Sequence, residues 1–424
     1  MSRKKTKKVG DIMMPDTMLE EGTYPCKQIN VEDLDEIVEA FFYRNFEQAD
    51  QLIAGTYAVS EESIPWMHLR YLHIVGNASS DFRDRFREVG LHSGYYLNAD
   101  GSWLLILLQE GDGKLRKLIN KCSQELECLS VYNSRLFTID IGSLTGIRRL
   151  NFTLNPSLRR IDGLANLTSL TALDISKCPR LVKIYELDKL VQLTSLRISE
   201  CESITSLPEL ERLTELNSFT ISDCSKITAL PELQWLTKLK VLDISNCDNL
   251  ADLRELEYLT QLSRLFIFQC RRITELPTLE RLSQLTDLYI FRCDGLSALP
   301  GVENLLRLNN LGVFNCSNFN VLPNLGNLTN LSILNIYRCE KFSIPQDYVF
   351  PPNISTLGIS GSSISTLPNG IRELKMLRCL DLCYLKLQDI PDWLPEIAEK
   401  FSTEARGWTL GENKASVSQV ATPS

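Results

Sequence analysis

The chain has 424 residues, of which 44% are hydrophobic and 23% charged, with a formal net charge of −8 and a pI near 5.2. No segment approaches the roughly 20 apolar residues that a membrane helix needs, and the first residues contain no apolar core of a secretory signal. The acidic balance argues against general nucleic-acid binding. The sequence therefore predicts a folded protein with neither a membrane span nor a nucleic-acid partner.

The N-terminal part of the chain has no regular repeat. Residues 1–28, which are rich in lysine near their start, are predicted to be a disordered basic segment. Residues 29–125 are predicted to form an irregular capping region, in which Asn30–Gly55 has apolar residues on one face at helical spacing. This helix would cap the first repeats or act as a separate docking helix. One degenerate early repeat is expected at Leu69, Leu72 and Ile74.

From residue 126 to residue 395 the sequence repeats, mostly with a period of 23 residues. Eight consecutive units follow the pattern L-x-x-L-x-I-x-x-C closely, and degenerate units on both sides bring the total to about twelve. Positions are numbered here from the first leucine of the pattern, so that Leu262 is at position one, Leu265 at four, Ile267 at six and Cys270 at nine. Residues 396–424 are predicted to form a C-terminal cap and a disordered tail.

This pattern resembles the signature of the leucine-rich-repeat family, which has Asn or Cys at its last position. The units are similar to those of plant intracellular immune receptors and of bacterial leucine-rich-repeat proteins. The resemblance implies an α/β solenoid, a curved horseshoe with a parallel β-sheet on its concave face and a helical cap at its N-terminal end. Alternation along a strand places positions four and six in the core and positions three, five and seven outside. Proline at position 16 of several units predicts extended or short 3₁₀ return segments.

Position nine holds a cysteine in eight successive units. We expect a row of buried thiols that hydrogen-bond to the backbone, because a free cysteine packs as a small apolar residue. Metal binding or catalysis is the alternative, but a zinc site needs four ligands at one point, whereas a ladder spreads its thiols along the axis. So many free thiols predict an intracellular, reducing compartment. The ladder residues are Cys178, Cys201, Cys224, Cys247, Cys270, Cys293, Cys316 and Cys339.

The sequence contains no recognisable active-site pattern. The histidines His68, His73 and His92 all lie outside the regular repeats, and there is no phosphate-binding, zinc-peptidase or nucleophile-elbow motif. We therefore predict that the chain is not an enzyme and has no catalytic residues, metal site or cofactor. The alternative is an activity carried by residues 56–125, which would need a histidine paired with an acid or a thiol in a cleft.

The predicted outer face of the sheet changes character along the array. Position seven is serine in four successive units, from Ser176 to Ser245, and aromatic in the next four, while two more aromatic residues occupy position five. Exposed aromatic residues bordered by arginine are typical of protein interfaces. The alternatives are a ladder that only stabilises the sheet, and burial by the N-terminal region of the chain. The predicted partner-binding residues are Arg264, Phe266, Phe268, Tyr289, Phe291, Arg292, Phe314, Tyr337 and Arg338, with Arg271 also at the border.

Together these patterns predict a monomeric, non-catalytic scaffold or recognition module. Its partner would be a protein bound on the concave face of the solenoid. One alternative is a bacterial effector of the leucine-rich-repeat type, delivered into a host cell and acting on host proteins. Another is a substrate-recognition adaptor.

Overall fold

The structure is a computed structural model that describes residues 126–394 in full and, outside this range, only the backbone of short strands. The chain divides into two compact units, residues 1–193 and residues 194–424, which are described separately below. Among the described residues, no helix combines the length and the apolar character needed to cross a membrane.

The first unit contains a parallel sheet with the predicted repeat geometry. Its strands Cys128–Tyr132, Arg149–Thr153 and Ala172–Ser176 pair side by side, with equivalent repeat positions opposite each other. On the return side, the strands Thr138–Asp140 and Arg160–Asp162 form a second, two-stranded parallel sheet. The repeat therefore builds one extended element on each side of its core in this unit.

The predicted degenerate repeat extends the sheet of the first unit. The strand Leu69–Val75 pairs in parallel with Cys128–Tyr132, and its backbone register sets Leu72 opposite Leu129. This is the register that the regular repeats use, so the prediction at Leu69, Leu72 and Ile74 is confirmed for the backbone.

The predicted N-terminal helix Asn30–Gly55 is not confirmed. Its last three residues belong to the strand Ile53–Val59, and residues 30–52 lie outside the described residues. Ile53, Thr56 and Val59 are β-branched, a class of residue that favours strands over helices. The helical periodicity did not reveal this local preference.

Other short strands are known by their backbone alone. Some lie in the two segments that are predicted to be disordered; the other residues of those segments lie outside the described residues, and the disorder stays a prediction. The strands are Lys7–Val9, Ile12–Met14, Pro25–Ile29, Gly94–Leu97, Trp103–Leu108, Trp408–Leu410 and Val417–Gln419.

The second unit contains one long parallel sheet in which each strand pairs with the strand of the next repeat. The Cα register is constant at 23 residues, as in Leu265 opposite Leu288. The strands are Ser195–Ser199, Ser218–Ser222, Val241–Ser245, Arg264–Phe268, Asp287–Phe291, Asn310–Phe314, Ile333–Tyr337, Thr356–Gly358 and Cys379–Asp381.

The core of each repeat consists of the residues that the period predicts. In the repeat that begins at Leu262, the side chains at positions one, four, six and nine are at most 1% exposed. The later positions Ile273, Leu276, Leu279 and Leu282 close the other side of the same core. Full burial of each leucine or isoleucine contributes about 1.5–3 kcal/mol, which makes the packing of layers the main source of stability.

The return segments are extended, turned or 3₁₀-helical, as the prolines at position 16 predict. A proline lacks the N–H that an α-helix interior requires, yet of the five 3₁₀ segments in the described repeats only Val302–Asn304 lies in a repeat with proline at position 16, Pro300. The repeats without that proline thus also return without an α-helix. These 3₁₀ turns are Leu164–Asn166, Leu187–Lys189, Arg254–Tyr258, Val302–Asn304 and Asn369–Glu373.

Each five-residue strand of the described repeats is followed at position eight by a residue with a left-handed backbone conformation, that is, a positive φ. Gln269, Arg292, Asn315 and Arg338 have φ values of 50°, 51°, 53° and 50°. The backbone N–H of each donates to the position-seven carbonyl of the next repeat, for example Arg292 to Phe314 at 2.8 Å. This turn directs two of the predicted border arginines away from the strand at a fixed point.

The C-terminal end of the described array is closed by large side chains. Trp393 and Leu394 are 8% and 3% exposed, respectively, and Ser362 replaces cysteine at position nine while its Oγ donates to the carbonyl of Ile359 at 2.8 Å. Both side chains are therefore buried where the described array ends.

Candidate functional site: an aromatic face and a cysteine ladder

Six aromatic side chains lie on the outer face of four neighbouring strands in the second unit. Two occupy position five and four occupy position seven, and each is partly exposed, whereas the earlier position-seven residues Ser176, Ser199 and Ser222 are at most 9% exposed, contrary to the predicted outer position of that side chain. The structure therefore brings the predicted aromatic residues together. We call this set the aromatic face; its members are Phe266, Phe268, Tyr289, Phe291, Phe314 and Tyr337.

The rings of the aromatic face stack on one another along the sheet. Phe266 and Tyr289 have centroids 5.6 Å apart with an interplanar angle of 3°, and Phe268 and Phe291 lie 4.6 Å apart at 5°. The stack continues less regularly to Phe314, 6.1 Å from Phe291 at 34°. Offset aromatic pairs at these distances contribute about 0.5–1.5 kcal/mol each. Stacking is therefore a real structural role of these rings, which stay partly exposed to solvent.

Gly312 lets two rings approach the sheet. It stands at position five, where a Cβ would lie 2.4 Å from Cε2 of Phe314 and 2.7 Å from Cδ1 of Tyr289. Any larger residue would push both rings outward, because contacts this short are repulsive. The glycine thus ends the position-five column of rings and tilts Phe314 out of the parallel stack.

Gly358 has the same relation to Tyr337 at the other end of the aromatic face. A Cβ at Gly358 would lie 2.2 Å from the Tyr337 hydroxyl and 2.4 Å from two of its ring carbons. The ring therefore lies across the neighbouring strand, and its hydroxyl is hydrogen-bonded to the carboxylate of Asp381, one strand further. Burial, followed by the negative charge of Asp381, raises the pKa of Tyr337. Tyr337 thus has a polar contact that the four phenylalanines of the aromatic face cannot form.

The strands before the aromatic face present small polar side chains at position seven. Ser199 and Ser222 share a hydrogen bond of 2.6 Å, and Ser245 donates to Asp243 at 2.5 Å. These hydroxyls satisfy one another within the sheet surface. The change from this serine-lined region to the aromatic face occurs between the strands Val241–Ser245 and Arg264–Phe268, without any change of backbone register.

The predicted arginines surround the aromatic face in different ways. Arg292 lies over the ring of Phe291, 5.3 Å from its centroid, and one of its Nη atoms donates to Gln269 at 3.4 Å. Arg271 lies 3.8 Å from Asp248, a weak and exposed ion pair. Arg264 and Arg338 are exposed at the two borders.

Sequence reasoning missed Gly312, Gly358 and Asp381, which shape the aromatic face. A signal was present, because the two glycines fall at position five, an outer strand position that other units fill with a side chain. Glycine inside a strand often marks close approach of another group.

The cysteine ladder consists of buried thiols that hydrogen-bond to backbone carbonyls, as predicted. In the described repeats a ladder thiol typically contacts two carbonyls, that of position seven in its own repeat and that of position six in the previous one. Cys247 Sγ, for instance, lies 3.4 Å from the oxygen of Ser245 and 3.8 Å from that of Ile221. Asn155 fills the same position in the repeat before that of Cys178. Its Nδ2 donates to the carbonyl of Val131 at 2.8 Å and to that of Thr153 at 3.0 Å. Asparagine and cysteine thus close the same turn.

Burial makes at least three of these thiols poor nucleophiles, whereas a hydrogen bond with Cys316 lowers the pKa of Cys339. Burial raises the pKa of Cys224 and of Cys247 from 9.0 to about 12, and it also raises the pKa of Cys270. A reactive cysteine needs a lowered pKa and solvent access, neither of which these three residues have. Among the residues that the structure describes, no group of three or more metal-binding side chains converges. The absence of enzymatic activity stays a prediction.

No family model and no curated protein matches the sequence. Among solved structures, the chain is similar to a leucine-rich-repeat protein of Leptospira interrogans, with 23% identity over 65% of this chain and 71% of that one and a TM-score of 0.56. It is also similar to the functional domain of InlJ from Listeria monocytogenes, which includes a cysteine ladder. That match has 22% identity over 68% of this chain and 58% of that one, with a TM-score of 0.53. With the 23-residue register and the buried ladder, these similarities show that the chain has the leucine-rich-repeat solenoid fold.

Proposed function

We propose that the protein is a recognition module that binds a protein partner on the aromatic face. The observation that carries the proposal is the concentration of six partly exposed rings on four adjacent strands, where the strands before them present serine. Strands lie about 4.8 Å apart, so the rings cover about 15–20 Å of sheet. Apolar patches of this kind on a protein surface are most often interaction sites.

Stacking among the rings supports the proposal as well as the stability of the sheet. Parallel rings hold one another in fixed positions, so little side-chain freedom is left to lose when a partner binds. Pre-ordered aromatic residues with open edges are the usual anchors of protein interfaces. The ladder interpretation and the binding interpretation are therefore compatible, and a binding experiment separates them.

The test is capture of partners by the full chain and by the triple variant Phe268→Ser/Phe291→Ser/Phe314→Ser. Serine stands at position seven of the preceding repeats, so the backbone accepts it. The matched control is Trp235→Ser/Tyr258→Ser, which removes two exposed rings from the return segments. We expect a partner that is captured by the wild type and by the control but not by the triple variant.

Two results would count against the aromatic face as the binding site. If every captured protein binds the triple variant as strongly as the wild type, recognition lies elsewhere on the chain. If the triple variant fails to unfold cooperatively in urea, the rings are mainly structural. The capture experiment is then repeated with the single variant Phe314→Ser, which removes the least regular stack.

Three further predictions remain part of this proposal: a monomeric state, an intracellular site of action and, as alternatives, the roles of a delivered bacterial effector or a substrate adaptor. The argument for a reducing compartment is weaker than the sequence suggested. Thiols that are buried and protonated, like Cys224 and Cys247, would also survive in an oxidising compartment. Sedimentation of the purified chain and localisation of a tagged copy test the first two predictions.

A further inference from the structure

The carboxylates on the aromatic face and beside it are already bonded within the sheet. Asp243 accepts from Ser245 at 2.5 Å, and Asp287 accepts from Thr286 at 2.7 Å and from Asn310 at 2.5 Å. Asp381 accepts from the backbone N–H of Cys383 at 2.9 Å and is hydrogen-bonded to Tyr337. These carboxylates keep their charge, but they are half-buried and held against the sheet by neighbouring donors.

The arginines of the same surface are exposed and have few polar contacts. Within residues 126–394, neither Arg264 nor Arg338 forms an ion pair or a side-chain hydrogen bond, and both are exposed. In the same part of the chain, Arg292 has one side-chain hydrogen bond, to Gln269 at 3.4 Å, and lies over the ring of Phe291. Guanidinium groups are well suited to bidentate binding of carboxylates, because their donors form a rigid fork.

The positions of these arginines frame the rings. Arg264 stands at position three, before the rings along its strand, and Arg292 and Arg338 stand at position eight, after them. Successive outer positions of a strand are about 6.7 Å apart, so cations lie within reach of a segment that crosses the rings. The left-handed φ of about 50° at Arg292 and Arg338 fixes where both side chains leave the backbone.

We propose that the aromatic face recognises an acidic protein segment in which an apolar anchor residue is flanked by carboxylates. The anchor packs on the ring edges, and the carboxylates pair with Arg264, Arg338 and Arg292. This inference rests on the proposed function, since it names the chemistry of the partner at the same site. It follows from charge complementarity at the exposed positions: the arginines of this surface are exposed, whereas its carboxylates are half-buried and already accept hydrogen bonds.

A nucleic acid fits this surface less well. Bases bind single-strand proteins by stacking on open ring faces. Here one face of Phe268 and one of Phe291 cover each other at 4.6 Å, as do one face of Phe266 and one of Tyr289 at 5.6 Å, which leaves fewer faces for bases. A phosphate chain also needs a continuous row of cations, whereas the arginines here stand at separate points, Arg264 at position three and Arg292 and Arg338 at position eight.

The experiment is selection of a displayed library of random linear peptides on the immobilised full chain at low salt, followed by binding assays with the enriched peptides. Three variants are compared with the wild type: Arg264→Gln/Arg338→Gln, the triple serine variant, and Arg281→Gln/Arg307→Gln. The last removes two exposed arginines outside the aromatic face and is the charge-matched control. Equal urea midpoints establish that all variants are folded.

We expect the enriched peptides to combine Asp or Glu with an apolar residue, and to lose binding to the triple serine variant. Each removed border arginine weakens binding by about two- to fivefold, as expected for exposed charge pairs. The control leaves binding unchanged, and added salt weakens it through screening.

The outcomes separate the two proposals. Two results would overturn the acidic partner and leave the proposed function standing. The ring-dependent peptides could be neutral or basic, or they could bind the Arg264→Gln/Arg338→Gln variant as well as they bind the wild type. Enrichment that does not depend on the rings, or no enrichment, counts against both. Ring-dependent binding of a fluorescent oligodeoxythymidine at the same salt would reassign the surface to single-stranded nucleic acid.

Discussion

Raising the pH should destabilise this fold through its cysteine ladder. Burial raises the pKa of Cys224 and Cys247 from 9.0 to about 12 and also raises that of Cys270. Between pH 9 and pH 12 the unfolded chain therefore releases protons that the folded chain retains, and the free energy of unfolding falls as the pH rises. At pH 9.5 each such thiol lowers it by about 0.8 kcal/mol, or about 2.5 kcal/mol for the three together.

Equilibrium urea unfolding from pH 7.5 to 9.5 measures this effect. A reductant is needed throughout, so that thiols in the unfolded chain do not form disulfides. This pH range ends below the usual pKa of tyrosine and lysine, about 10 and 10.4, which keeps their contributions small. Proton uptake on refolding at pH 9.5, measured without buffer, gives an independent count of the thiols involved.

The matched variant is Cys247→Asn. It removes one titrating thiol and keeps hydrogen-bond donors for the carbonyls of Ile221 and Ser245, which Cys247 contacts. Asn155 shows that asparagine fits this turn. The free energy of unfolding should fall less steeply with pH in the variant than in the wild type. At pH 9.5 the variant should have lost about 0.8 kcal/mol less than the wild type. A wild-type stability that does not change between pH 7.5 and 9.5, or an equal slope in both proteins, would refute the assignment of these thiols as buried and protonated.

Two further predictions concern the aromatic face. A double-mutant cycle with Phe268→Ala and Phe291→Ala should give a coupling free energy of about 0.5–1.5 kcal/mol in urea unfolding, since the rings stack at 4.6 Å; additive effects would show that the stack contributes nothing. Gly358→Ala should lower the free energy of unfolding by about 1–3 kcal/mol, because its Cβ would lie 2.2 Å from the Tyr337 hydroxyl. Combining it with Tyr337→Ser should abolish that additional loss, and an unchanged loss in the double variant would mean that the clash is not its cause.

The sequence alone predicts the core of this fold well, because one register repeats many times. Leu265 and Ile267 are buried for the same reason as Leu288 and Ile290, and every repeat confirms the assignment of the others. The outer position of Phe268 and the burial of Cys270 follow from the same alternation. A single strand of five residues would have carried far less information.

The geometry of the aromatic face could not be obtained from the period. The placement of Phe314 depends on Gly312 and that of Tyr337 on Gly358, two glycines that depart from the repeat, and on Asp381. The left-handed conformation of Arg338 is also invisible in composition, because arginine has no preference for it. The N-terminal region has too few repeating residues for an averaged pattern to correct a local error such as the helix assigned to Ile53.

The register of 23 residues holds for the core of the array and for its surface, so that whole repeats can be removed without changing the residues that a partner would contact. Side-chain hydrogen bonds on the surface also span that register, as between Ser199 and Ser222 or between Arg307 and Gln284. Removing residues 216–238 would therefore join Glu215 to Leu239 with every core position still facing an equivalent neighbour. The rings would move one layer closer to the start of the second unit without any change to themselves. A fold of this kind can change the length of its scaffold and the placement of its surface by gaining or losing whole units, independently of the substitutions that alter what the surface binds.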